Sequence, residues 1–143
     1  MTDLADRLAA IVTPEHVLTG AAISDDYGHD EALTVAAVHP AYVVRPGSAA
    51  EVSELLQLAN EARAPVTARG SGTGLSGACT PTPDSIVISF ERMNRVLEID
   101  TENHVAVVEP GVTLQELDDA TTPHGLVYPV FPGEYSASLG GNV

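Results

Sequence analysis

Residues 65–77 read Pro65-Val66-Thr67-Ala68-Arg69-Gly70-Ser71-Gly72-Thr73-Gly74-Leu75-Ser76-Gly77, and the fold turns on how that stretch is understood. Pro65 to Ala68 is a short extended segment, and directly after it come four glycines in eight residues: Gly70, Gly72, Gly74 and Gly77. Glycine lets the main chain take positive φ and come close to a ligand, and successive N–H groups pointing one way form a nest that holds an anion. Ser71, Thr73 and Ser76 add hydroxyl donors, and Arg69 supplies the one positive charge nearby. A phosphate group is the expected ligand, against the plainer alternative of a flexible glycine-rich turn that holds nothing. Gly72-Thr73-Gly74-Leu75-Ser76-Gly77 spells GxGxxG, but in dinucleotide folds the third glycine opens a helix whose N-terminus faces the pyrophosphate. Here Pro81 and Pro83 fall where the first turns of that helix would run, and proline both removes an N–H and clashes with the preceding turn. What remains is a loop that wraps phosphates with no helix behind it.

Outward from the loop the pattern is regular. Ala41 to Arg45 is β-rich and is stopped by Pro46-Gly47, after which Ser48-Ala49-Ala50-Glu51 spells a capping box, with Val52, Leu55, Leu56 and Ala59 on one helical face. Residues 41–68 therefore read as a β-α-β unit with parallel pairing. Ser85 to Phe90, Arg95 to Asp100 and His104 to Val108 read as antiparallel strands, with Thr101-Glu102-Asn103 as the tight connection between the last two. Thr113-Leu114-Gln115-Glu116 is a second capping box, opening a short helix that has ended by Pro123. Upstream, Leu4, Leu8, Ile11 and Val12 recur at helical spacing behind Thr2 as a cap, and Thr13-Pro14-Glu15 starts a second short helix. Between Ser24 and Ala37 the crowding of Asp25, Asp26, His29, Asp30 and Glu31 reads as a solvated surface connection. The class is mixed α+β, a small mixed sheet with flanking helices, divided into a helical segment over 1–40 and a subdomain over 41–143.

Composition removes whole classes of function. The chain has 143 residues, 44% of them hydrophobic and 18% charged, which suits one compact domain. Six Lys plus Arg, all of them arginine, face 20 acidic residues for a net charge of −14, so binding to a nucleic-acid backbone has no electrostatic driving force. Without lysine there is no P-loop lysine, no kinase strand lysine and no Schiff base. Cys79, the only cysteine, excludes an intrachain disulfide and a CxxC pair and reads as a packing thiol. None of the five histidines forms an HxxxH or HxxE pair, so no metal is expected. An acidic N-terminus and the lack of any apolar run near 18 residues suggest a soluble, cytoplasmic chain with no transmembrane segment. His124 and Tyr128 receive no role, and Glu109 and Glu134 show no partner in the sequence that would tune either as a general base.

Five motifs then stand in one order: Val44-Arg45-Pro46 before a capped helix, Pro65 to Gly77, Met93 to Asp100, Val108-Glu109-Pro110-Gly111-Val112, and Pro132 to Ser138-Leu139-Gly140-Gly141-Asn142. Together, over about residues 40–143, they resemble the N-terminal part of FAD-linked oxidases of the vanillyl-alcohol oxidase type, with a PCMH-type FAD-binding domain, in the glycolate oxidase and D-lactate dehydrogenase branch. The resemblance implies FAD as cofactor, its pyrophosphate held by Arg69, Gly70, Ser71, Gly72, Thr73, Gly74, Leu75, Ser76 and Gly77. Pro46, Pro110, Gly111, Ser138, Gly140, Gly141 and Asn142 would line the cofactor further along. Relatives that attach flavin covalently through this loop carry histidine where this chain has Thr73, so non-covalent FAD is expected. The family continues with the rest of the FAD domain and a substrate domain, which puts the catalytic residues beyond Val143 and makes this portion alone inactive. The implied activity is oxidation of a small 2-hydroxy acid of the glycolate or D-lactate type, favoured by Leu75-Ser76-Gly77 and Met93-Asn94. Two alternatives stand beside it. One is a non-catalytic fragment that holds no flavin. The other is an FAD-binding electron-transfer portion, as in flavin subunits of molybdenum hydroxylases or the flavin reductase of peptidoglycan synthesis. Apolar surface left uncovered by a missing partner half would promote self-association.

Overall fold

The computed structural model describes residues 3–130 and 133–143; Thr2 and Pro132, named above, lie outside them. Its centre is β4 (Ile86–Ser89), a strand buried at every residue. An unbroken apolar run of this kind suits a strand covered on both faces. It pairs in parallel with β2 (Tyr42–Val44) on one side and β3 (Val66–Arg69) on the other, with Val43 and Thr67 both opposite Val87. β1 (Val17–Thr19) adds an antiparallel edge to β2, giving the order β1-β2-β4-β3.

Three expectations change here. β2 and β3 run parallel, joined through helix α2 (Ala49–Ala62), but they are not neighbours, because β4 lies between them. β4 is accordingly parallel to both rather than antiparallel. The physical reason is burial: Ile86, Val87 and Ile88 need cover on both faces, whereas β3 carries exposed Val66 and half-buried Thr67 and suits an edge. The short β1, which follows a 3-10 turn at Pro14–His16, had no three-residue signal strong enough to read. The antiparallel reading does hold for β5 (Val96–Asp100) and β6 (Val105–Val108), which form a separate hairpin. Its turn is fixed by the Asp100 carboxylate, which accepts from the Glu102 and Asn103 N–H groups at 3.0 Å each.

One sheet face is covered by α1 (Leu4–Val12) and α2, whose Leu8, Val12, Leu55, Leu58 and Ala59 pack with Val44, Ile86 and Ile88. The opposite face sets Val43 and Val87 against Ile23. A second apolar cluster joins α3 (Leu114–Thr121) to the hairpin through Val112, Leu114 and Leu117, and it includes Leu139 of α4 (Leu139–Asn142). Both capping serine/threonine residues act as read, with one variation. Thr113 and Glu116 complete the reciprocal box on α3. Ser48 Oγ accepts from the Glu51 N–H, but the Glu51 carboxylate reaches one residue further back, to the Gly47 N–H at 2.7 Å.

Glu109, which showed no partner in the sequence, has one in space. Its carboxylate is buried and accepts from Arg95 Nη2 at 2.6 Å, from Nε at 3.1 Å and from the Arg95 backbone N–H at 2.9 Å. Those bonds hold the Glu109 carboxyl below the usual carboxylate range. A carboxyl lowered in the folded state contributes stability above its unfolded pKa and loses it as pH falls through the folded value. Glu109→Gln is therefore expected to lower Tm at neutral pH, with the difference from the parent closing in acid, as thermal melts across pH would record. Leu55→Ala, at a side chain 1% exposed, should cost about 2–5 kcal/mol in urea unfolding.

Candidate functional site

Residues 70–85 carry the chain from the end of β3 to the start of β4, and their first half forms one wall of a cavity of about 730 Å3. The opposite wall is Pro110 and α4, so the cavity opens at the carboxyl end of β3, where open parallel sheets bind ligands. Its size lies within the range of about 300–1,000 Å3 usual for small-molecule sites.

Two serines tie the walls together. The Ser71 N–H donates to Ser138 Oγ at 2.9 Å, and the Ser138 N–H donates to Ser71 Oγ at 3.1 Å. α4 is in turn docked by Leu139 N–H to the Val112 carbonyl at 2.7 Å and by Gly140 N–H to the Pro110 carbonyl at 2.9 Å. A Cβ on Gly140 would stand 2.6 Å from Pro110 Cβ, so this approach needs glycine.

Most of the loop's backbone donors are unused. The Gly70 N–H is used by the Cys79 sulfur and that of Ser71 by Ser138, but no hydrogen bond among the described residues uses the N–H of Gly72, Thr73, Gly74, Leu75, Ser76 or Gly77. Asn142 Nδ2 lies buried at the cavity without a partner. Arg69 is 9% exposed and works from beneath: its Nη1 donates to the His29 carbonyl at 2.7 Å, and its guanidinium sits 5.8 Å from the centre of the Tyr27 ring. A Cβ on Gly72, at φ +79°, would collide with that guanidinium. No carboxylate forms an ion pair with Arg69 among the described residues. Unpaired amides over an unpaired buried cation call for an anion with many acceptor oxygens, and a dinucleotide diphosphate meets that demand. The donor set fits such a group.

Arg69 to Ser76, Pro110, Ser138, Gly140, Gly141 and Asn142 all line this cavity. Three residues grouped with them by resemblance do not. Pro46 is fully buried at the turn before α2. Gly77, at φ +78°, packs against Val35. Gly111 is wedged against the Phe90 and Met93 carbonyls, its N–H donating to Met93 at 2.8 Å, and so sets where Pro110 stands. Cys79, read as a packing thiol, does line the cavity; burial pushes its pKa up. Asp30 is a cavity residue that sequence reasoning missed. It was placed in a solvated connection, yet it is 5% exposed, because residues 28–38 fold back against the glycine loop. The charge-crowded composition of 24–37 masked this, since only one of its five charged or titratable members turns fully inward.

The serine pair yields a direct test. Ser71→Ala and Ser138→Ala each remove an acceptor that a backbone N–H uses, so each should cost about 1 kcal/mol in urea unfolding. The double variant should cost less than the sum, with a coupling of about 0.5–1 kcal/mol; strict additivity would show that the two bonds do not support each other.

The model of a family described as FAD binding domain matches residues 40–143. A protein of Mycobacterium tuberculosis named as an uncharacterized FAD-linked oxidoreductase is 54% identical over all 143 residues, which make up 31% of its length. A D-lactate dehydrogenase of Archaeoglobus fulgidus is 46% identical over 123 residues, 84% of this chain and 28% of that one. The chain thus spans less than a third of these curated relatives. Among solved structures, an alkyldihydroxyacetonephosphate synthase matches 97% of this chain and 28% of its own at a TM-score of 0.86 and 23% identity, a likeness of fold alone. A 4-ethylphenol oxidase from Gulosibacter chungangensis matches the same shares at 0.84 and 28% identity. With 104 of its residues inside the family match, the chain belongs to the FAD binding domain family, and its cofactor is FAD.

Proposed function

We propose that this chain is the diphosphate-holding part of a flavoprotein that oxidises a small 2-hydroxy acid. The observation that carries the reading is the row of five unpaired amides along the cavity, Gly72 to Ser76, above the buried Arg69 guanidinium. In this reading the amides and Asn142 Nδ2 bind the diphosphate, Arg69 offsets its charge from below, and the reciprocal bonds between Ser71 and Ser138 fix one wall against the other. FAD when bound supplies the two-electron acceptor, and the protein supplies position and electrostatics. The relatives named as D-lactate dehydrogenase and, in Bacillus subtilis, as glycolate oxidase subunit favour a glycolate or D-lactate type of substrate.

Thr73 offers a hydroxyl and no imidazole, so the flavin is held without a covalent bond. No general base is assigned to this portion. Arg95 keeps Glu109 below the usual carboxylate range, and the Ser136 N–H does the same for Glu134, so each is a weaker proton acceptor than a free carboxylate. Leu75, Leu97, Val105 and Val127 are exposed, and self-association through apolar side chains such as these is part of the proposal.

Titration of the chain with FAD, followed by flavin fluorescence, should show saturable binding at one site, and acid precipitation should leave all yellow colour in the supernatant. Colour in the pellet would refute non-covalent attachment. Gly141 lines the cavity and has no atom within 4 Å of where a Cβ would stand, so Gly141→Leu adds bulk at the cavity wall at little cost to the fold. It should weaken FAD at least about tenfold, or 1.4 kcal/mol, with an unchanged apo Tm; unaltered affinity would place FAD elsewhere. The substrate class is read from anaerobic bleaching of flavin absorbance when glycolate or D-lactate is added to holoprotein of the relatives' full length.

A further inference from the structure

The strap of residues 29–35 touches the glycine loop from behind at four points. His29 offers its carbonyl to Arg69, the Glu31 N–H donates to the Gly74 carbonyl at 2.9 Å, and Val35 packs on Gly77. The fourth point is Asp30. Its Oδ1 accepts from the Ala32 N–H at 3.0 Å, while its Oδ2 accepts from the Cys79 N–H at 3.5 Å and stands 3.3 Å from the Cβ position of Gly74. A carboxylate is buried at a cost unless its oxygens find donors, and here the donors come from the strap and from the far leg of the loop.

On charge alone Asp30 is misplaced, since an anion lining a diphosphate cavity repels the ligand. The geometry gives it another purpose. A trans peptide points its C=O and N–H in opposite directions. With the Gly74 carbonyl bound to the strap, the Leu75 N–H must face away from it. Asp30 spaces strap and loop at that point and ties the returning leg at Cys79, which supports the Gly74–Leu75 peptide in that orientation.

We propose that Asp30 is a positioning residue for the FAD diphosphate, holding the peptide planes of the glycine loop in the binding orientation from the cavity's edge, through the strap and Cys79. This rests on the reading that the diphosphate lies on Gly72 to Ser76.

The test uses Asp30→Asn and Asp30→Ser. Asparagine keeps the shape but sets an amide where an acceptor is needed; serine can keep the local turn to Ala32 but cannot reach Cys79. Both should weaken FAD tenfold or more and speed hydrogen exchange at the Cys79 amide of the apo protein, which in the parent should be protected. Asp26→Asn, an exposed change on the same segment, should leave affinity unaltered. Unchanged or tighter FAD binding in the Asp30 variants, an equal loss in Asp26→Asn, or an unprotected Cys79 amide in the parent would each overturn the assignment. The parent's exchange pattern needs no variant to fold. Gly141→Leu separates the two claims: if it fails to weaken FAD, the site reading falls and takes this one with it. If it weakens FAD while the Asp30 variants bind normally, only the role of Asp30 is lost.

Discussion

A guanidinium and a side chain cannot occupy the same space, and the site is built on that exclusion at Gly72. Arg69 leaves the end of β3, turns under the loop and is held by the His29 carbonyl and the Tyr27 ring. The loop can pass over it only because residue 72 has no Cβ and takes positive φ. The charge that an acidic chain needs for an anion is thereby delivered through the floor of the site, where it is shielded from solvent and, among the described residues, forms no ion pair with an acid. The five amides above it stay open because the strap behind takes up the loop's carbonyl at Gly74 and the serine pair fixes the loop's first turn.

Much of this was legible in the sequence because it rests on local chemistry. Proline at 81 and 83 forbids a helix after the glycines, and none forms. The hydroxyl-to-glutamate spacings at Ser48 and Thr113 mark helix starts, since a cap needs only four residues in a row to be recognised. The hairpin between β5 and β6 announced itself through its short polar turn.

What was hidden depends on partners distant in sequence. That β4 would insert between β2 and β3 follows from comparing the burial each strand can find, which no single window holds. Asp30 sits among exposed acids and differs from them only in what folds against it. Gly111 and Pro46 sit in segments that accompany the site, yet their own places are in packing, one wedged against two carbonyls and the other buried at a turn. A residue named by resemblance can thus serve a site by fixing a neighbour.

β3 and β4 are adjacent and parallel, and the stretch joining them runs over 70–85. Parallel neighbours need a return path of about a dozen residues or more, usually supplied by a helix; here the ligand loop is itself that return path. Its length is therefore dictated by the sheet as well as by the cofactor. Shortening it would forbid the parallel pairing of the central strand even if every glycine were spared, and slack added to it would loosen the tether between ligand and core. On the proposed reading, a nucleotide is held by a loop tethered at both ends to the central strand pair, so its arrival should be felt at the middle strand.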